Sequence, residues 1–221
     1  MGRSSSISLV SALLALGACA AQTESVERPV GIDPGVGLRE STEEPGAWTY
    51  RAPEVDLASF RRFILDTPRV YRGEGASFGG LSEEQVQEIG QLFNEDTREA
   101  LGTKYPVVSK PGPGVARLRF TIMGVSETVP YVSTVTRVIP IGAAINLLSQ
   151  GTGHGGTLTG SVTYGIEAFD SQSGKLVAAA VRRLTPGAFD ISSTLGTMDT
   201  ARAVARDAAA KLRATLDSLH G

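Results

Sequence analysis

A two-layer α+β sandwich, a mostly antiparallel or mixed β-sheet with two main amphipathic helices packed on it, is the fold class this sequence predicts. Three observations predict it. From Val115 to Val125 the chain alternates, with Ala116, Leu118, Phe120 and Ile122 to one side and Arg117, Arg119 and Thr121 to the other. From Leu158 to Asp170 it alternates again, with Val162, Tyr164, Ile166 and Ala168 against Ser161, Thr163 and Glu167. Period two is the mark of a half-buried strand. Two other stretches switch to the helical period. Val86, Ile89, Phe93, Ala100 and Leu101 share one face, and Ala201, Val204, Ala205, Ala208, Leu212, Leu216 and Leu219 share another. One-sided helices and half-polar strands bury their apolar faces against each other.

In chain order, the first element is not part of that sandwich. Arg3 precedes a short apolar run from Ile7 to Leu16, the layout of a secretory signal and too short to span a bilayer. It closes on Leu16-Gly17-Ala18-Cys19, which resembles the lipobox of bacterial lipoproteins. The resemblance implies that residues 1–18 are removed as a signal peptide, with Leu16, Gly17 and Ala18 read by the peptidase. It also implies that Cys19 takes a diacylglycerol and an N-terminal acyl chain. Each buried methylene contributes about 0.8 kcal/mol, so several chains hold the protein on the membrane. Cys19 is the sole cysteine. An unpaired thiol in an oxidising envelope is a liability that lipidation removes. The residue after it is Ala20 rather than an aspartate, which in lipoproteins favours the outer membrane. The domain is expected to face the periplasm.

Residues 19–47 carry Glu24, Glu27, Asp33, Glu40, Glu43 and Glu44, broken by Pro29, Pro34 and Pro45. This composition predicts a flexible acidic tether with a span of about 30 Å. A single domain is expected over 48–221. It opens at Trp48, with a turn at Pro53-Glu54-Val55-Asp56. A strand follows over Phe60 to Tyr71, placed at an edge or ended by Pro68. After a glycine loop, Ser82-Glu83-Glu84-Gln85 is a capping box that starts the first helix, and Gly102 stops it. Tyr105 to Ser109 is a short strand and Pro111 to Gly114 a tight turn. Val129 to Val138 is rich in valine and threonine and is read as extended. Val138 to Leu148 is apolar at eight of eleven positions and reads as a short buried helix or a loop that meets a membrane or partner. Asp170 to Lys175 is a hairpin loop, and Leu176 to Arg182 returns antiparallel. The last helix is expected from about Met198 to Leu219. Its first turn holds Asp199 and its later turns Lys211 and Arg213, which suits the helix dipole.

Several short segments together resemble the domain-of-unknown-function family 3313 of Gram-negative envelope lipoproteins. They are Tyr50-Arg51-Ala52-Pro53, Tyr105-Pro106-Val107-Val108, Gly112 to Arg119, Glu167 to Ser171 and Gly174 to Ala178, and the likeness covers roughly residues 36–219. Its motifs are turns, strand ends and a hairpin. The resemblance therefore implies an envelope lipoprotein of unassigned activity and transfers no catalytic residue. The connection from Thr185 to Thr197 holds a single aromatic, Phe189, fewer than expected of the family.

The chemistry the chain offers is sparse. Net charge is -2, from 21 basic and 23 acidic residues, so no cationic excess draws nucleic acid. Gly75-Ala76-Ser77-Phe78-Gly79 matches the nucleophile-elbow pattern, yet the following helix starts late and only His154 and His220 exist to act as base. His220, next to last, is expected to fray. Gly151 to Gly156 matches a dinucleotide fingerprint, but a strand follows it where a helix is required. Two distant histidines and one cysteine make no zinc set, and no cofactor is expected. Two stretches remain as candidates for a partner. One is the apolar run with Val138, Ile139, Ile141, Ile145, Leu147 and Leu148. The other is a basic strand face with Arg117 and Arg119, suited to an anionic envelope component or cell wall. The expectation is a non-catalytic outer-membrane lipoprotein that serves as an accessory or interaction module. The alternatives are a carrier of lipid or another small apolar ligand and, behind it, a periplasmic serine hydrolase built on Ser77 and His154.

Overall fold

The computed structural model describes residues 22–24, 26, 31–32, 37–126, 160–186 and 196–221. In chain order the strands are β1 (Gln22–Glu24), β2 (Arg39–Glu40), β3 (Trp48–Arg51), β4 (Arg62–Leu65), β5 (Arg69–Val70), β6 (Val115–Ser126), β7 (Ser161–Asp170) and β8 (Leu176–Thr185). The helices are α1 (Glu83–Leu101) and α2 (Thr197–His220). Among the described residues these strands make one mixed sheet, ordered β2-β3-β8-β7-β6-β4. The short β1 lies against β8, and β5 lies against β6. Both helices pack on one face of the sheet, as the sequence predicts.

The antiparallel meander β6-β7-β8 is the frame. The alternation read in the sequence is kept, with Leu118, Phe120, Ile122, Val162, Tyr164 and Leu184 buried on the helix side. Phe93 of α1 reaches this layer, 4.8 Å from the Tyr164 ring and 5.4 Å from Phe120 between centroids. Tilted aromatic pairs at this spacing add about 0.5–1.5 kcal/mol each to simple burial. Helix α1 begins as its box predicts: Gln85 N–H donates to Ser82 Oγ, and Ser82 N–H donates to Gln85 Oε1 at 2.9 Å. It ends at Gly102, whose φ of 53° a side chain would oppose. Helix α2 lays Ala201, Val204, Ala205 and Ala208 on the same core layer, so its alanines let the helix approach the sheet.

The strand expected over Phe60 to Tyr71 is two short strands. Pro68 has no N–H to donate, and Asp66 to Pro68 part β4 from β5. Both run parallel to β6, because α1 carries the chain back across the sheet before β6 begins. The short strand expected over Tyr105 to Ser109 reduces to a single bridge, Phe63 with Val107. Two hydrogen bonds hold it, Phe63 N–H to Pro106 O and Val108 N–H to Phe63 O; Pro106 cannot add another.

The free tether expected over residues 19–47 is corrected wherever that stretch is described. Strand β1 pairs with Arg183 to Thr185. The Val26 carbonyl accepts from the Trp48 indole N–H at 2.8 Å, and Ile32 is buried. Ile32 sits on the sheet face away from the helices, in a cluster with Met123, Ala179 and Val181. A Cβ on Gly165 would stand 3.0 Å from its Cδ1, so the glycine makes the seat. A few apolar residues spaced along an acidic, proline-rich segment are enough to hold it on a sheet face.

Candidate functional site

The two helices cover only part of the sheet. Helix α1 lies over β5 and β6, and α2 over β7 and the near edge of β8. Beyond that, the helix face carries Ala178 and Ala180 of β8 and Thr49 and Arg51 of β3, paired opposite them. Alanine methyls are too short to meet α2. The space left is a cavity of about 850 Å³, within the range of about 300–1,000 Å³ usual for ligand sites. Its floor is Ile166, Ala168 and Ala178, with the buried Leu118 and Val177 behind them; its roof is Leu212 of α2 and its far end Leu57, backed by the buried Leu216 and Phe60.

A polar network closes the other end. Glu44, on the turn before β3, accepts from Arg182 Nε at 2.9 Å and is paired with Lys211 of α2. Tyr164 stands beside them; burial pushes its hydroxyl well above the ordinary tyrosine range, and Arg182 opposes that rise. Three elements are thus tied across the cavity wall. At the open rim stand Arg39 and Arg51, both exposed. Strand register puts Arg39 opposite Thr49, on the cavity face with Arg51, and sends Glu40 to the other face opposite Trp48.

The residues singled out from the sequence fall elsewhere. Arg117 and Arg119 do not form a free basic face. Arg117 is forked onto Asp66 at 3.1 and 2.8 Å. Arg119 is forked onto Glu167 at 3.0 and 2.9 Å and lies over the Phe169 ring. Glu167, read as a polar outward position, is only 2 % exposed. Both arginines are neutralised by carboxylates from distant parts of the chain, Asp66 just past β4 and Glu167 on β7, which a linear reading cannot pair. Leu16, Gly17, Ala18 and Cys19 lie outside the described residues, as do Val138, Ile139, Ile141, Ile145, Leu147, Leu148 and His154. Ser77 is described: its side chain is exposed, and its carbonyl accepts from Val125 N–H at 2.7 Å. His220 is not frayed. Its Nδ1 meets the Leu216 carbonyl at 2.7 Å and its Nε2 the Ala58 carbonyl at 3.1 Å. Among the described residues no group of three His, Cys, Asp or Glu is placed to hold a metal, and no helix is long and apolar enough to cross a membrane.

A second charged cluster locks the far end of α2. Asp217 accepts from Lys104 at 2.6 Å, from the Tyr105 hydroxyl at 2.9 Å and from Arg213 at 3.0 Å. Those donors, Lys104 first, hold its carboxyl down at about 2. Burial, with Asp217 beside it, raises the Tyr105 hydroxyl above its usual range.

A family model described as a protein of unknown function, DUF3313, matches residues 36–212. The chain belongs to this family. The match takes in the turn that carries Glu44 and most of the helix that carries Lys211, so the polar end of the cavity lies within the DUF3313 region. It ends at Leu212, seven residues before the end of the resemblance carried by the sequence motifs. No curated protein matches this chain. Among solved structures, it is similar to a PelC dodecamer from Paraburkholderia phytofirmans at 11% identity and a TM-score of 0.39, over 77% of this chain and 95% of that one. It is also similar to a DUF4136 family protein from Bacteroides thetaiotaomicron VPI-5482 at 12% identity and a TM-score of 0.33, over 77% of this chain and 95% of that one.

Proposed function

We propose that this DUF3313 protein is a non-catalytic lipoprotein of the outer membrane, anchored through Cys19 and serving as an accessory or interaction module on the periplasmic side. The observation that carries the reading is the run Leu16-Gly17-Ala18-Cys19 at the end of a short apolar segment. Strand β1 supports it. Only Ala20 and Ala21 separate Cys19 from Gln22, a reach of about 10 Å at most. Gln22 is paired with Thr185 at the end of β8. The anchor would therefore hold that end of the sheet close to the bilayer, and the domain would not swing on a long leash. The cavity's apolar far end, near Phe60, lies at the opposite end of the sheet. A partner, protein or cell wall, would then approach surfaces that point away from the membrane.

The test is fractionation of cells producing the wild type and Cys19→Ser. The wild type should sediment with outer membranes and resist a salt wash. Cys19→Ser should accumulate as unprocessed precursor or be released with the soluble periplasmic fraction. Normal processing together with membrane retention in Cys19→Ser would end the anchor reading.

A further inference from the structure

We propose that the cavity between α2 and β8 binds a single-chain amphiphile with an oxyanion head, its chain lying over Ala178 and Ala180 and its head at Arg39 and Arg51. This goes beyond anchoring and stands whether or not Cys19 is acylated. Three observations lead to it. The first is volume and lining: about 850 Å³ walled by leucine, phenylalanine, isoleucine and alanine, which suits an alkyl chain, since apolar area removed from water contributes about 25 cal/mol per Å². The second is asymmetry. The far end, Leu57 and Phe60, offers no charge, so a chain terminus fits there, while the charged side chains gather at the turn and rim.

The third observation is the charge at the rim. Glu44 is engaged by Arg182 and Lys211. Glu40 also borders the cavity, but its register opposite Trp48 places its side chain on the other face of the strand. The rim then carries the exposed Glu43 and two exposed arginines, Arg39 and Arg51. A guanidinium at the mouth of an apolar cavity meets a carboxylate or a phosphate through two parallel hydrogen bonds. The head could belong to a fatty acid or to a lysophospholipid; the chemistry they share is one alkyl chain with an anionic oxygen head.

Binding can be read on the Cys19→Ser chain, which carries no acyl groups and needs no detergent. Dansyl-undecanoate fluorescence should rise saturably at one probe per chain and fall when palmitate is added. Arg39→Glu combined with Arg51→Glu touches only exposed side chains. It should weaken palmitate by about tenfold or more, the loss of roughly one charge-assisted hydrogen bond, and leave hexadecanol unchanged. Ala178→Phe should abolish both, with an unchanged melting temperature showing that the chain still folds. Stronger displacement by lysophosphatidylglycerol than by palmitate would name the phosphate source, and the reverse the free acid. The proposal falls if no saturable signal appears or if the arginine pair and Ala178→Phe leave displacement unaltered. It also falls if binding appears only after residues 138–148 are deleted, which would assign the cavity to that apolar segment.

Discussion

At the scale of single residues, the buried polar pairs set what this domain tolerates. Glu167 is 2 % exposed and has both oxygens on Arg119. Removing one partner of such a pair leaves an unmatched buried charge, at a cost of about 3–5 kcal/mol. Arg119→Ala should therefore lower stability by about that much in urea unfolding. Replacing both residues with apolar side chains of similar size should cost far less. Asp217 gives a pH signature. Its folded value, about 2, lies below the ordinary 3.8, so the carboxylate adds stability at every pH above about 4. That contribution fades as pH falls from about 4 through 2. The gap in melting temperature between wild type and Asp217→Asn should be constant near neutrality, narrow below pH of about 4 and close near pH of about 2. Gly90 is a third case. Alanine normally improves a helix by about 1 kcal/mol over glycine, but a Cβ here would lie 2.9 Å from Cβ of Pro68. Gly90→Ala should destabilise, by about 1–3 kcal/mol in the same assay. Neither the Gly90 contact nor the Glu167 burial is legible in the sequence. Each depends on a residue far along the chain, and a glycine in a helix or a glutamate in an alternating strand has an ordinary local explanation.

At the scale of elements, what could be read was what repeats locally. The long strands and both helices follow from periods of two and 3.6, and the Ser82–Gln85 box marked the start of α1 to the residue. The parallel pairing of β4 and β5 was not legible, because it is decided by the path of α1 across the sheet. The N-terminal segment was missed for a related reason. Its composition is that of a linker, and its few apolar residues gain meaning only from the seat that Gly165 leaves for Ile32. Truncating a buried isoleucine costs about 2–5 kcal/mol, and here the loss should fall on the docking of one segment. Ile32→Ala should thus speed proteolytic cleavage within residues 25–47 many-fold while the helical and sheet signals persist. Equal cleavage rates in the two proteins would show that Ile32 does not hold the segment.

At the scale of the whole molecule, the fold has two ends with different surroundings. Strand β1 starts three residues after Cys19 and pairs with the close of β8, while the apolar end of the cavity lies at the other end of the sheet. The cavity itself could not be foreseen. The alanines of β8 predict close packing as readily as a gap, and only the placement of α2 over β7 leaves a gap between the helix and Ala178. The basic strand face, by contrast, is legible as residues but not as a neutralised surface, since Asp66 and Glu167 that pair with it come from the link after β4 and from β7. The proposed role depends first on the anchor at Cys19, and the decisive measurement is mass spectrometry of the amino-terminal peptide from the membrane-extracted mature protein. The expected peptide begins at Cys19 and carries a diacylglycerol thioether with an amide-linked acyl chain. A mature chain that begins at another residue, or one that begins at Cys19 with an unmodified thiol, would contradict it.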